Sequence, residues 1–391
     1  MYFRKRIDTR TGNWVKGKYY LRRSVELQSL WDRIKSGESL LLSAPRRVGK
    51  TSLLMDLVNK PESGFTAIYI ITESINDSNK FFRRIYEKLV EELDRKDRFT
   101  EGIKELFKRK GVKSAGPKGV EFEEYIPDYH QEIIDLCEKL SKDQKYLVLV
   151  DEFAQTIQNI LDDHDEAKAR EFLSLNRELR QNPDVNQRVQ FGYAGSIGLE
   201  NVVGNINLTK TINDINPFTI KPFSRDQAKA LVSQILEGTE LEISDEILDY
   251  TLEKLGLVIP FYLQLILEGC DELLPMKGEK PIQVTKKTID KSFKLALDKR
   301  NYFEDWFARL RRTFKGPAYS FIIEVLEICA EEKRISKSKI TDLSIKHGVE
   351  DLSRNLIKSL EHDGYITFNS GKKNYHFTSA LLRVWWKNNI N

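Results

Sequence analysis

Two stretches of this 391-residue chain carry side chains suited to phosphate chemistry. The first is Leu40-Leu41-Leu42-Ser43-Ala44-Pro45-Arg46-Arg47-Val48-Gly49-Lys50-Thr51-Ser52-Leu53-Leu54. It reads as an apolar strand, a tight loop and an apolar-periodic helix, with Gly49-Lys50-Thr51 at the helix start. In such an arrangement the backbone N–H groups of the loop and of the helix start, within Ala44 to Ser52 and apart from Pro45, surround a β-phosphate. Lys50 is placed to reach the β- and γ-phosphates, and the Thr51 hydroxyl to ligate Mg²⁺. Pro45, Arg46, Arg47, Val48 and Gly49 form the body of the loop. Ala44 stands where the pattern G-x-x-x-x-G-K-[ST] has its first glycine; it is the smallest substitute a loop can take there.

The second stretch, Lys145-Tyr146-Leu147-Val148-Leu149-Val150-Asp151-Glu152-Phe153, is an apolar run that ends in two carboxylates. The run suits a central parallel strand buried on both faces. Its acidic end falls where open α/β sheets place ligands. Asp151 is expected to hold the Mg²⁺ shell, partly through water, and Glu152 to polarise the attacking water. An acidic strand end by itself is usually just solvated. About 100 residues after a phosphate loop, it reads as half of a nucleotide-hydrolysis site. A third candidate is Ser196, which closes the strand pattern Arg188-Val189-Gln190-Phe191-Gly192-Tyr193-Ala194-Gly195-Ser196. A polar side chain there senses a γ-phosphate; the plainer role is to cap the next helix.

The elements that must position these groups follow from periodicity. An amphipathic helix is expected over 24–36, with Val25, Leu27, Leu30, Trp31 and Ile34 apolar. Just ahead of it, Tyr19-Tyr20-Leu21-Arg22-Arg23 is a candidate wall for an adenine. Phe65–Ile71 reads as a strand from its β-branched and aromatic content. Helices are expected near 78–94, 121–142 and 163–181, and a Gly/Lys-rich surface loop over 110–120. From Ser224, an expected N-cap, the pattern turns helical. Helices near 224–237, 244–255, 260–274 and 284–311 would form a lid. Pro260 starts one of them, an ordinary place for proline and also one that can face a nucleotide. Three helices near 316–331, 336–346 and 351–363 then precede two short strands around Ser370-Gly371-Lys372-Lys373, the pattern of a winged helix-turn-helix. The expected domains are a core over 1–223, a helical lid over 224–312 and a winged helix over 313–391.

Composition narrows the partners. Residues 1–60 hold 14 Lys+Arg against 5 Asp+Glu, and residues 311–391 hold 14 against 9, so both ends are basic while the whole chain is only +4. Basic ends suit nucleic acid; phosphate binding in front and a solvated surface behind suit them equally well. The helix over 351–363 is not strongly basic, so a protein partner remains as good a reading as DNA, and self-association stays open. No apolar run reaches membrane-span length, and no apolar stretch follows the basic start, so neither a membrane nor a secretory signal is expected. Cys137, Cys270 and Cys329 lie far apart and read as small core hydrophobes of a cytoplasmic protein.

These motifs resemble one family. Pro45-Arg46-Arg47-Val48-Gly49-Lys50-Thr51-Ser52-Leu53 resembles the P-R-R-x-G-K-T-S-L loop of the archaeal-type ATPases, within the AAA+/STAND assemblage of P-loop NTPases. Asp151-Glu152-Phe153 resembles their D-E-F strand end, Ala194-Gly195-Ser196-Ile197-Gly198-Leu199 their G-S strand end, and Ile259-Pro260-Phe261-Tyr262-Leu263-Gln264 their I-P-x-Y-L-Q lid helix. The resemblance implies an α/β fold: a RecA-like P-loop αβα core with a parallel sheet, a helical lid and a C-terminal winged helix, as in the related origin-recognition initiators. It implies ATP with Mg²⁺ as the ligand and ATP hydrolysis as the activity. In one respect the chain departs from the oligomeric motors, which often carry an inter-subunit arginine between the sensor strand and the lid. Residues 197–223 contain no arginine, only Lys210 and Lys221. Arg177, Arg180 and Arg188 are the nearest upstream alternatives.

Overall fold

A computed structural model describes every residue except 1–3, 11–13, 96–100, 102, 104–113, 117–118, 122–126, 142, 196–197, 277–280, 300 and 391. The chain divides into two compact units. One comprises Arg23–Ser43 with Leu53–Thr219; the other comprises Met1–Arg22, Ala44–Ser52 and Ile220–Asn391.

The first unit is built on five parallel strands, β1 (Ser39–Ser43), β2 (Phe65–Ile71), β5 (Lys145–Asp151), β6 (Val189–Ala194) and β7 (Ile215–Thr219). Their order across the sheet is β2-β5-β6-β1-β7. The acidic strand β5 is therefore one strand removed from β1, with β6 between them, pairing Leu149↔Gly192 on one side and Leu40↔Gly192 on the other. A parallel strand covered on both faces needs a continuous apolar run, and Tyr146 through Val150 are all buried. Pro217, which cannot donate to a ladder, lies on the edge strand β7.

Helices Ser78–Arg95, Tyr129–Lys139, Phe153–Asp163 and Glu166–Gln181 accompany this sheet. Phe81, Phe82, Phe153, Phe172 and Tyr193 form one aromatic cluster, with ring centroids 4.5 Å apart for Phe153–Tyr193 and 5.0 Å for Phe81–Phe172. Several expectations are corrected here. Val25 faces solvent, while Leu27, Leu30, Trp31 and Ile34 are buried. Ser114–Gly116 (β3) and Gly119–Glu121 (β4) pair antiparallel instead of running as an open loop; the rest of 110–120 lies outside the described residues. The helix expected from 121 starts at Tyr129, where the Asp128 side chain accepts from His130 and Gln131 N–H. β5 ends at Asp151, and Phe153 already begins a helix.

The second unit is mostly helical. Ser224 caps helix Arg225–Leu236, as its sequence predicts, and Gln227 completes a capping box. Helices Asp245–Leu255 and Pro260–Leu273 follow, and the short strands β8 (Leu241–Glu242) and β9 (Ile282–Gln283) pair in parallel. The expected helix over 284–311 is two helices, Lys286–Asp298 and Asn301–Thr313. Beyond them the order is helix Gly316–Glu331, β10 (Ile335–Ser336), helix Lys337–His347, helix Glu350–Asp363, β11 (Ile366–Asn369), β12 (Asn374–Phe377) and helix Ala380–Asn389. The three strands form a sheet in the order β10-β12-β11. Cys137, Cys270 and Cys329 are buried, and burial pushes each thiol up to about 12, which keeps them inert at neutral pH. Among the described residues, no helix is long and apolar enough to cross a membrane.

Candidate functional site

The loop after β1 folds through two left-handed residues, Arg47 (φ 67°) and Gly49 (φ 97°). Such reversals turn successive N–H groups toward one side, the geometry that receives an anion. Gly49 adopts its φ without steric cost, whereas Arg47 has a Cβ and its conformation costs about 1–2 kcal/mol. Side-chain packing offsets that cost. The Arg47 guanidinium lies 4.7 Å from the Phe261 ring centre and 5.9 Å from that of Tyr302. Arg46 donates to Asp305 Oδ2 at 2.7 Å and lies 5.3 Å from the Trp306 ring. Burial opposes the charge on Asp305, but Arg46, Arg47 and Arg312 outweigh it and hold its carboxyl below the usual range. Pro45 sits where a Cβ on Gly364 would come within 3.1 Å, and Gly364 itself has φ 83°. The Arg46 and Arg47 side chains thus reach helices Pro260–Leu273 and Asn301–Thr313, a destination the motif pattern does not encode.

The loop turns into helix Lys50–Asn59, so Lys50 and Thr51 occupy its first turn. Ser52 is buried, and its Oγ accepts from Val15 N at 3.0 Å. Pro260 is at the start of helix Pro260–Leu273, as expected. Four residues on, Gln264 takes Arg10 N at 3.1 Å and donates to Tyr19 O at 3.2 Å, tying the N-terminal segment to this helix.

The acidic end of β5 is built differently. Asp151 is 5% exposed. Its Oδ1 accepts from Glu152 N at 3.1 Å and its Oδ2 from the Tyr69 hydroxyl at 2.9 Å. Its carbonyl accepts from both Thr72 N (3.0 Å) and Thr72 Oγ1 (3.1 Å), while Thr156 Oγ1 donates to Thr72 O at 2.8 Å. This bracket holds Glu152 at φ 63°, ψ 32°, a left-handed position at the N-cap of helix Phe153–Asp163. Phe153 anchors the other side of the turn in the aromatic cluster. Burial, and then Asp151, push the Tyr69 phenol well above its usual range, so it stays a donor. The carboxylate of Asp151 and the hydroxyl of Thr51 are hard oxygen donors of the kind Mg²⁺ takes alongside water and phosphate.

This sheet order and strand–loop–helix have relatives among solved structures. A Walker-type ATPase of Pyrococcus abyssi matches with a TM-score of 0.61 at 15% identity, covering 94% of this chain and 99% of that one. The fold is that of the archaeal Walker-type ATPases. The Aeropyrum pernix ORC2 protein, solved in ADPNP–ADP complexes, matches with a TM-score of 0.53 at 12% identity over 98% of this chain and 97% of that one. No family model and no curated protein matches the sequence.

Within this ATPase fold, Ser196 lies outside the described residues; the N-cap position of the following helix, Leu199–Asn205, falls on Gly198. The three upstream arginines have partners within the chain. Arg180 is 3% exposed and bonds both oxygens of Asp214, at 2.8 and 2.9 Å, and Thr211 O. Arg188 is buried against Leu140 O and Asp184 O, and Arg177 donates to Lys210 O.

Proposed function

We propose that the protein binds ATP·Mg²⁺ and hydrolyses it slowly, as a conformational switch between nucleotide states, in a DNA-related or defence-related process. One observation carries the reading: Gly49-Lys50-Thr51 opens a helix directly after a parallel strand of a sheet whose order sets β6 between that strand and the acidic β5. In this reading Ala44 to Ser52 cradle the phosphates. Lys50 neutralises the β/γ charge, Thr51 and Asp151 hold the metal, Glu152 polarises water, Ser196 senses the γ-phosphate and Pro260 faces the nucleotide from the lid. Bound Mg²⁺ supplies charge neutralisation at the transferring phosphoryl group. The division into a core over 1–223, a lid over 224–312 and a winged helix over 313–391 belongs to the same proposal.

The slow rate follows from the arginines. An arginine supplied to the γ-phosphate contributes about 10³–10⁵ in rate. Arg177, Arg180 and Arg188 have internal partners, and residues 197–223 hold none. Purified protein is expected to turn over below about one ATP per second, under the usual enzyme median. A phosphate-release assay across protein concentrations checks this; fast turnover at low concentration, unchanged by Arg177→Ala, would sink the switch.

DNA is the partner we place on the C-terminal helices and strands. Lys372 and Lys373 are exposed in the turn between β11 and β12, where Lys372 N donates to Asn369 Oδ1. Helix Glu350–Asp363 begins with two acids, Glu350 and Asp351, which phosphate would repel, so the turn rather than the helix supports this reading. Replacing Lys372 and Lys373 together by alanine should weaken duplex binding and lower the salt slope by about two. An unchanged slope in a fluorescence titration would favour the alternative of an ATP-dependent oligomerising scaffold that meets protein instead.

A further inference from the structure

The acidic strand end has a polar neighbour outside every motif named above. Tyr69 lies on β2, directly opposite Leu149 of β5, and Asp151 is two residues further along the same face. That diagonal is within reach of an aromatic side chain, and the Tyr69 hydroxyl closes it by donating to Asp151 Oδ2 at 2.9 Å. The other carboxylate oxygen takes Glu152 N, so each oxygen has its own fixed donor. Terminal carboxylate torsions are broad and soft when nothing holds them. Here the group is 5% exposed and gripped from two sides. A phenylalanine at position 69 would serve packing equally well; the hydroxyl, half-buried, has a cost of desolvation that its bond to Asp151 offsets. Thr72, three residues on in the chain, holds the Asp151 carbonyl with two further bonds, so the end of β2 fixes both the main chain and the side chain of this residue.

We propose that Tyr69 is a positioning residue for Mg²⁺: it locks the rotation of the Asp151 carboxylate, and touches neither nucleotide nor metal itself. The proposal rests on the ATP·Mg²⁺ reading above. The chemistry behind it is general. Mg²⁺ demands near-ideal octahedral geometry and tolerates a turned ligand poorly. Partners that orient ligating carboxylates are worth about 10- to 100-fold in metal affinity.

The test is equilibrium binding of a fluorescent ATP analogue to the full-length protein, titrated with Mg²⁺ and repeated in EDTA. Tyr69→Phe is expected to raise the Mg²⁺ concentration at half-maximal effect about 10-fold, with the affinity in EDTA equal to the parent's. In an Asp151→Asn background, Tyr69→Phe should add nothing, because a residue that acts through another is non-additive with it. Thr72→Val, which removes one bond to the main chain but none to the carboxylate, should lower the melting temperature without moving the Mg²⁺ midpoint. If Tyr69→Phe keeps the parent's midpoint, or shifts it equally with and without the Asp151 carboxylate, the positioning role is overturned. A parent that binds the analogue no better than Lys50→Ala overturns the nucleotide reading and this proposal with it.

Discussion

Lys50→Ala is expected to weaken ATP binding by about 100-fold or more while leaving the melting temperature nearly unchanged. Hydrogen bonds to charged groups are worth about 1.5–3 kcal/mol each. A lysine that meets both the β- and γ-phosphates therefore supplies about 3 kcal/mol or more, and each 1.4 kcal/mol is about tenfold. The helix itself tolerates the change. Lys50 is the first residue of helix Lys50–Asn59, and alanine is the best helix former. The loop is held by other groups: Val48 is buried, Ser52 accepts from Val15 N, and Arg46 bonds Asp305. Calorimetric titration with ATP, alongside a thermal melt, checks both halves. Parent-like affinity would refute the phosphate-loop assignment; a collapsed melt with lost affinity would make Lys50 a structural residue instead.

What could be read from the sequence was local. Phe65–Ile71 is a strand at the positions its β-branched and aromatic residues mark. Ser224 at an N-cap, Pro260 at a helix start, and the paired strands around Lys372-Lys373 all follow from capping and turn chemistry within a few residues. What could not be read depends on partners far along the chain. Arg180 looks like any surface arginine until Asp214, 34 residues later, accepts from its Nε and Nη2. Arg46 and Arg47 read by motif as the body of a phosphate loop, which says nothing of their side chains; Asp305, Trp306, Phe261 and Tyr302 receive those. The left-handed turn at Glu152 went unforeseen because glutamate has no preference for it; the backbone conformation is imposed by Thr72, Thr156 and the aromatic cluster. Tyr69 gave no signal beyond a strand-favouring aromatic.

That left-handed turn sets up the second large effect. Glu152→Gln is expected to keep ATP affinity and lose turnover by on the order of 100-fold or more, since the amide preserves shape but accepts no proton. Asp151→Asn should instead weaken binding and Mg²⁺ dependence together, because the lost charge belongs to the metal shell. The strain separates this role from a structural one. Glutamate at φ 63° carries about 1–2 kcal/mol of conformational cost. Asparagine tolerates the left-handed region and is among the preferred N-cap residues, and position 152 is the N-cap of helix Phe153–Asp163. Glu152→Asn should therefore melt above the parent while hydrolysing ATP as poorly as Glu152→Gln. Such a gain in stability with a loss of activity is what a strained functional residue produces. Single-turnover hydrolysis and a thermal melt on the same preparations decide it. If Glu152→Asn were less stable than the parent, glutamate would be holding the turn together. If it retained turnover, another group would be activating the water, and β5 would serve the metal alone.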